Sequence, residues 1–221
     1  MKNIAKYIDH TCLKPDAIEN EIKNLCTEAI DYEFASVCIN PLYVPLAVKY
    51  LKGKDPKVCS VIGFPLGSIS TEMKFAEAML AIHQGVDELD MVINIGNLKQ
   101  GNFKEISDEV SKIVTASANI VIKVIIETCL LNDKEIVKIS KLIKNSGADF
   151  VKTSTGFSHG GATIKDIRLI RKSVGSNFGV KASGGIGSLL DLNNMINAGA
   201  NRIGTSSGVK ILNEWKSDYK T

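Results

Sequence analysis

Asp149-Phe150-Val151-Lys152-Thr153-Ser154-Thr155-Gly156 and Phe178-Gly179-Val180-Lys181-Ala182-Ser183-Gly184-Gly185 say the same thing twice: a short apolar run, a lysine directly after a valine, small residues, and a glycine turn. Lys152 and Lys181 are 29 residues apart, and Lys123 precedes Lys152 by another 29. That interval is the length of one strand plus one helix. Working outward at the same beat, further strands are read at Tyr7–Thr11, Ser36–Ile39, Val58–Gly63, Glu88–Ile93 and Ile120–Glu127. Phe150–Thr153, Gly179–Ala182 and Arg202–Thr205 complete a set of eight, of which the first is short and polar.

Helical periodicity fills the intervals. Ile18, Ile22, Leu25, Cys26, Ala29 and Ile30 mark one stripe. Ser70-Thr71 caps a helix through Met73, Ala76, Met79, Leu80 and Ile82 that stops at Gly85. A polar helix runs from about Phe103 to Ala118. Asn132 with Glu135 forms a capping box ahead of a helix ending near Gly147. The face bearing Tyr43, Leu46 and Tyr50 suits either the core or a subunit contact. Strands alternating with helices imply a parallel sheet. Eight even units point to a closed (β/α)8 TIM barrel occupying residues 1–221 as one domain. An open doubly wound sheet is the competing architecture. It would be unusually wide, and no G-x-G-x-x-G turn follows the first strand.

Bulk properties exclude several classes of function. The 221 residues carry 27 basic and 24 acidic side chains, a formal charge of +3 with no block of one sign, which gives no case for nucleic acid. No apolar run is long enough for a bilayer, and Met1-Lys2-Asn3-Ile4-Ala5-Lys6 does not read as a signal peptide, so a cytoplasmic protein is expected. Cys12, Cys26, Cys38, Cys59 and Cys129 are scattered and odd in number, which fits reduced thiols better than disulfides or zinc. His10, His83 and His159 lack a metal-ligand spacing, and no cofactor is called for.

In a barrel, strand side chains alternate between the interior and the helix layer. Leu89, Met91 and Ile93 then face helices, while Glu88, Asp90, Val92 and Asn94 face inward. Lys123, Ile125 and Glu127 share the inward face of the fifth strand, and Lys152 and Lys181 point in from the sixth and seventh. Barrel interiors are usually filled by branched apolar residues. An ion-pair core built on Asp90 is the structural explanation, but buried ion pairs are poor stabilisers, and three lysines outnumber Asp90 and Glu127. The functional explanation is chemical. Burial and a neighbouring cation weaken a lysine's hold on its proton, and an uncharged buried amine attacks carbonyl carbon.

Glycine turns complete the pattern. Ser183-Gly184-Gly185-Ile186-Gly187-Ser188 follows the seventh strand and Gly204-Thr205-Ser206-Ser207-Gly208 the eighth, each leading into a helix. Backbone N–H groups at such positions cradle anions, and in barrels these two loops are the frequent phosphate site. Gly156 is placed to add a third contact. The expected ligand is a small phosphorylated metabolite whose far end lies near Lys152 and Lys181.

These motifs resemble one family closely. Tyr7-Ile8-Asp9-His10-Thr11, Glu88-Leu89-Asp90-Met91-Val92-Ile93-Asn94, Val151–Gly156, Val180–Gly185 and Arg202–Ser207 together look like deoxyribose-phosphate aldolase, over nearly the whole chain. The resemblance implies a metal-independent, cofactor-free class I aldolase. It interconverts 2-deoxy-D-ribose 5-phosphate with acetaldehyde and D-glyceraldehyde 3-phosphate in deoxynucleoside breakdown. The partners it implies are the phosphorylated sugar, acetaldehyde and further copies of the chain in a homodimer or homotetramer, with no nucleic acid or membrane. It makes Lys152 the Schiff-base residue, Lys181 its perturbing neighbour and Asp90 the acid/base partner. Asp9, Cys38, Lys123, Thr155, Gly156, Gly184, Gly185, Ser206 and Ser207 are the expected substrate contacts. Cys38 is also a candidate for alkylation by an enal formed from acetaldehyde. Some members end in a catalytic tyrosine; here Tyr219 is followed by Lys220-Thr221, and no role is assigned to it. Other readings are a different Schiff-base aldolase with a ketose donor, a phosphosugar isomerase without a covalent step, and a catalytically silent sensor, against which the intact Asp90, Lys152 and Lys181 set argues.

Overall fold

A computed structural model describes residues 4–218. Eight parallel strands close on themselves in chain order: β1 (Ile8–Cys12), β2 (Ser36–Ile39), β3 (Lys57–Ile62), β4 (Glu88–Val92), β5 (Val121–Ile125), β6 (Phe150–Lys152), β7 (Gly179–Ser183) and β8 (Arg202–Thr205). The closure pairs Asp9 with Gly204 between β1 and β8. On the far side Lys152 lies beside Lys181, and Asp90 beside Lys123. The fold is the (β/α)8 barrel that the 29-residue beat implies. The short polar first strand is present, held between β2 and β8.

The surrounding helices are α1 (Glu19–Asp31), α2 (Val44–Leu51), α3 (Thr71–His83), α4 (Ile95–Gln100), α5 (Phe103–Ala116), α6 (Asp133–Asn145), α7 (Ile164–Val174), α8 (Leu189–Ala198) and α9 (Gly208–Asp218). Their starts are set chemically. Ser70, Asn132, Thr163 and Ser188 each accept a hydrogen bond from the backbone N–H three residues on, and the Glu135 carboxylate accepts in turn from Asn132 N at 2.8 Å. The sequence pattern did not reveal α4, a six-residue helix capped by Asn94 and ended by left-handed Gly101. Tyr219 lies outside the described residues.

The apolar core lies between barrel and helices. Val37, Leu89, Met91, Val124, Val151, Val180 and Ile203 point outward from the strands onto Ile22, Ile106, Ile139 and Ile167 of the helices. Each such side chain removed from water contributes about 1.5–3 kcal/mol. Tyr43 and Leu46 of that face pack against this core, while Tyr50 stays exposed.

Helix α3 departs from its sequence pattern. Met73 and Leu80 are more than half exposed, and the residues that face the barrel are Lys74, Ala78 and Ala81. The cause is an ion pair beneath the helix. Lys74 Nζ bonds Glu109 Oε1 of α5 at 2.7 Å, and Thr71 Oγ1 donates to Glu109 Oε2 at 3.0 Å. The lysine stem needs the space over Gly63, where an added Cβ would stand 2.9 Å from Lys74 Cε. Lys74→Met strips the buried Glu109 of its cation, so unfolding in urea is expected to show a loss of about 3–5 kcal/mol. Lys74→Met combined with Glu109→Leu should recover most of it.

Candidate active site

Strand alternation carries charge into the barrel interior, where it closes into a ring. Arg202 Nε meets Asp9 Oδ1 at 2.5 Å. Arg202 Nη2 bonds Glu88 Oε1 at 2.7 Å and Oε2 at 2.9 Å. Glu88 Oε2 meets Lys123 Nζ at 2.5 Å, and Lys123 Nζ bonds Asp90 Oδ1 at 3.0 Å. Asp90 Oδ2 accepts from Lys181 Nζ at 2.7 Å, and Lys181 Nζ returns to Asp9 Oδ2 at 2.5 Å, a close ionic contact outside hydrogen-bond angles. The six groups alternate in sign. A seventh, Lys152 Nζ, hangs off the ring at 2.7 Å from the same Asp90 Oδ2 that Lys181 occupies. Lys181 and Arg202 each touch two carboxylates, and Lys123 touches Glu88, Asp90 and, at 4.0 Å, Asp9; Lys152 touches one, and shares it.

The electrostatics follow from this arrangement. Burial opposes charge on Asp90, yet Lys123, Lys152 and Lys181 hold its carboxyl well below the usual carboxylate range. Asp9 is held low in the same way, burial being outweighed by Lys181 and Arg202. The expectation that paired lysines weaken each other's hold on protons fails for Lys181. Burial works in that direction, but Asp9 and Asp90 more than offset it and keep Lys181 a firm cation. Lys123 is likewise raised, its burial outweighed by Asp90, Cys59 and Glu88.

Above the ring opens a cavity of about 560 Å³. Of the four cations in the charged layer, Lys152 is the one that lines it. Thr155, Gly156, Gly184, Gly185 and Ser206 line it too, so the expected anion loops and the lysine face one space. Gly184 is left-handed (φ +85°), and an added Cβ would stand 2.9 Å from Gly161 Cα, which is why the loops after β6 and β7 can cross there. Phe157 stands at the rim, edge-on to Phe64 at 5.3 Å. Lys14, exposed and 3.5 Å from Glu21, is a further cation on the wall.

Four expected substrate contacts lie elsewhere. Asp9 and Lys123 are sealed in the ring beneath the cavity. Cys38 is fully buried, 3.9 Å from Asp90 Oδ2, which also removes the exposure that alkylation needs. Ser207 N is turned onto Thr205 Oγ1 at 2.9 Å, and its side chain belongs to a neighbouring groove with Lys210 and Asn213. Glu127 does not balance the lysines as its strand position suggested. The strand ends at Ile125, Glu127 takes a left-handed φ of 53°, and its carboxylate accepts from Thr155 Oγ1 at 2.5 Å and Thr155 N at 3.3 Å. It anchors the loop that carries Gly156. His10, in β1, is buried with Nε2 at 2.7 Å from Glu28 Oε2.

The sequence pattern had given no role to Glu88 or Arg202. Both signals were available: Glu88 shares the face of Asp90, and Arg202 is in register with Lys181. Cys38, Cys59 and Asp90 place donor atoms within 4.8 Å of one another, a spacing that suits a soft metal ion. The Lys123 ammonium already stands 3.4 Å from Cys59 Sγ and 3.0 Å from Asp90 Oδ1. The hydrogen bond from Cys59 lowers the Cys38 thiol, whereas burial pushes Cys59 well up.

A parallel barrel with a buried lysine at the floor of its loop-lined cavity has the arrangement that a Schiff-base aldolase needs. Comparison with known proteins agrees. The profile of the DeoC/LacD family aldolases matches residues 3–215. A deoxyribose-phosphate aldolase of Caldanaerobacter subterraneus subsp. tengcongensis is 56% identical over 219 residues, 98% of this chain and 95% of that one. A solved aldolase designated QR15 superposes with a TM-score of 0.95 at 42% identity, covering 100% of this chain and 99% of the other. The tetrameric deoxyribose phosphate aldolase of Aeropyrum pernix gives 0.91 at 38% identity, covering 97% and 91%. The chain belongs to the DeoC/LacD aldolase family.

The buried carboxylates dictate the acid response. Asp9 and Asp90 lie below their ordinary value of 3.8 in the folded chain and return to it on unfolding. The folded state therefore binds fewer protons. Their contribution to stability is complete above about pH 4 and is lost as pH falls toward their folded values. Urea melts should give little change from this source between pH 7 and 5 and a steep loss below about pH 4.

Proposed function

We propose that the chain catalyses the reversible aldol cleavage of 2-deoxy-D-ribose 5-phosphate to acetaldehyde and D-glyceraldehyde 3-phosphate through a Schiff base on Lys152. The observation that carries this reading is that Lys152 alone of the buried cations opens on the cavity, while sharing its carboxylate oxygen with Lys181. The names of the relatives support the substrate.

Lys152 Nζ attacks C1 of the open-chain sugar, and loss of water leaves an iminium. A base takes the C3 hydroxyl proton, the C2–C3 bond breaks, and its electron pair moves through C2 to the iminium nitrogen as an enamine. D-glyceraldehyde 3-phosphate departs. Protonation of C2 and hydrolysis release acetaldehyde and the free amine. Asp90 is buried below the cavity, so its proton traffic passes through Lys152, Lys181 or a water between them and the substrate. The phosphate rests on the N–H groups of the loops carrying Gly184, Gly185 and Ser206, which orients C1 toward Lys152. Lys14 adds charge on that wall. The same reading takes residues 1–221 as a single domain that works in the cytoplasm as a homodimer or homotetramer. No helix among the described residues is long and apolar enough to cross a membrane.

Acetaldehyde with borohydride should leave a two-carbon adduct on the peptide containing Lys152. Labelling that survives Lys152→Ala overturns the assignment. Asp90→Asn should cost roughly 10²–10⁴-fold in kcat, the range for general acid–base help, and Lys152→Ala more. In Gly204→Ala the new Cβ stands 3.1 Å from both Lys181 Cε and Ser183 Cβ. Displacement of that lysine should cost about 10–100-fold in kcat/KM, measured in a protein whose melting temperature shows it folded.

A further inference from the structure

Arg202 and Glu88 lie at the bottom of the charged layer and do not line the cavity. Their position is nonetheless specific. Arg202 joins Asp9 of β1 to Glu88 of β4 across the barrel, and Glu88 passes the contact to Lys123 of β5. Without these two side chains the ions from Asp9 through Lys181 and Asp90 to Lys123 are joined end to end only by the 4.0 Å approach of Lys123 Nζ to Asp9 Oδ2. With them the ring closes through short contacts, and three carboxylates face three cations. A buried layer tolerates net charge poorly. Once the ring is balanced, a proton on Lys152 leaves the layer with one uncompensated positive charge.

We infer that Arg202 and Glu88 are positioning residues of the reaction: they complete a charge-balanced ring, and that balance makes Lys152 the amine whose proton is surplus. The inference rests on the Schiff-base reading of Lys152. Removing the Arg202 charge leaves three carboxylates facing two ring cations, so the Lys152 ammonium becomes a required counter-ion and holds its proton to higher pH. Removing the Glu88 charge has the opposite sign, since Lys123 keeps its contact with Asp90 and the excess of cations grows. The other titratable groups packed against the layer are the thiols of Cys38 on β2 and Cys59 on β3, and the variants leave both in place.

The test is trapping of acetaldehyde on the full chain with cyanoborohydride, followed across pH. In Arg202→Met the midpoint of the rising limb should move up by about one to three pH units, the range for loss of a neighbouring charge, and in Glu88→Gln it should move down. Arg202→Lys keeps the charge and should stay near the parent, and Arg202→Met with Glu88→Gln should fall between the singles. A merely structural role would slow trapping in both single variants without opposite displacements. Displacements in the same direction, or none in a folded variant, overturn the inference. If Arg202→Met does not fold, Glu88→Gln decides alone: a downward shift supports the inference and an unmoved midpoint overturns it. A label absent from the Lys152 peptide in the parent chain would instead sink the Schiff-base reading.

Discussion

One carboxylate, that of Asp90, receives three ammonium groups in the middle of a protein. Few single contacts constrain a structure so strongly. Lys123, Lys152 and Lys181 come from three successive strands, and each must reach the same two oxygens from its own side. That requires the strands to be in one register, the barrel to be closed, and the counter-charges of Asp9 and Glu88 to be supplied from β1 and β4. A slip of one residue in any of these strands would turn its charge into the apolar helix layer.

The layer is costly as stabilisation, because taking ions out of water is repaid only when geometry is good and every partner is present. The fold's stability comes from elsewhere, from the valine, isoleucine and leucine shell between barrel and helices. The charged interior provides a floor of fixed charge on which a single amine can be exposed. The loops then supply the rest. Glu127 accepts a backbone strain to fix Thr155 and Gly156, and the glycine contact between Gly161 and Gly184 lets two loops share one wall of the cavity. Rigid strands hold the reacting nitrogen while loops hold the part of the ligand that does not react.

Much of this was legible in the residues because period-two alternation is a property of any strand. Once the eight strands are placed, Asp90, Lys123, Lys152 and Lys181 must face inward, and they do. Where alternation stops, so does legibility. Glu127 fell on the inward face only as long as the strand was taken to continue; the backbone turns left-handed there and sends the carboxylate to the loop. Helix α3 misled for a related reason. Its methionine and leucine looked like the buried stripe, but a lysine with a partner on α5 took the inner face, and no local pattern announces a partner 35 residues away.

By itself, the sequence determined the number and order of strands, the helix caps, which side chains enter the barrel, and the chemistry of an amine beside a carboxylate. These depend on local periodicity and on residue type. Only the tertiary structure decided which carboxylate serves which lysine, that Arg202 and Glu88 close the ring, and that Lys152 alone of those cations meets the cavity. Depth within a barrel depends on how eight strands stagger around it, and the distance between charges brought together from opposite ends of the chain is set by closure.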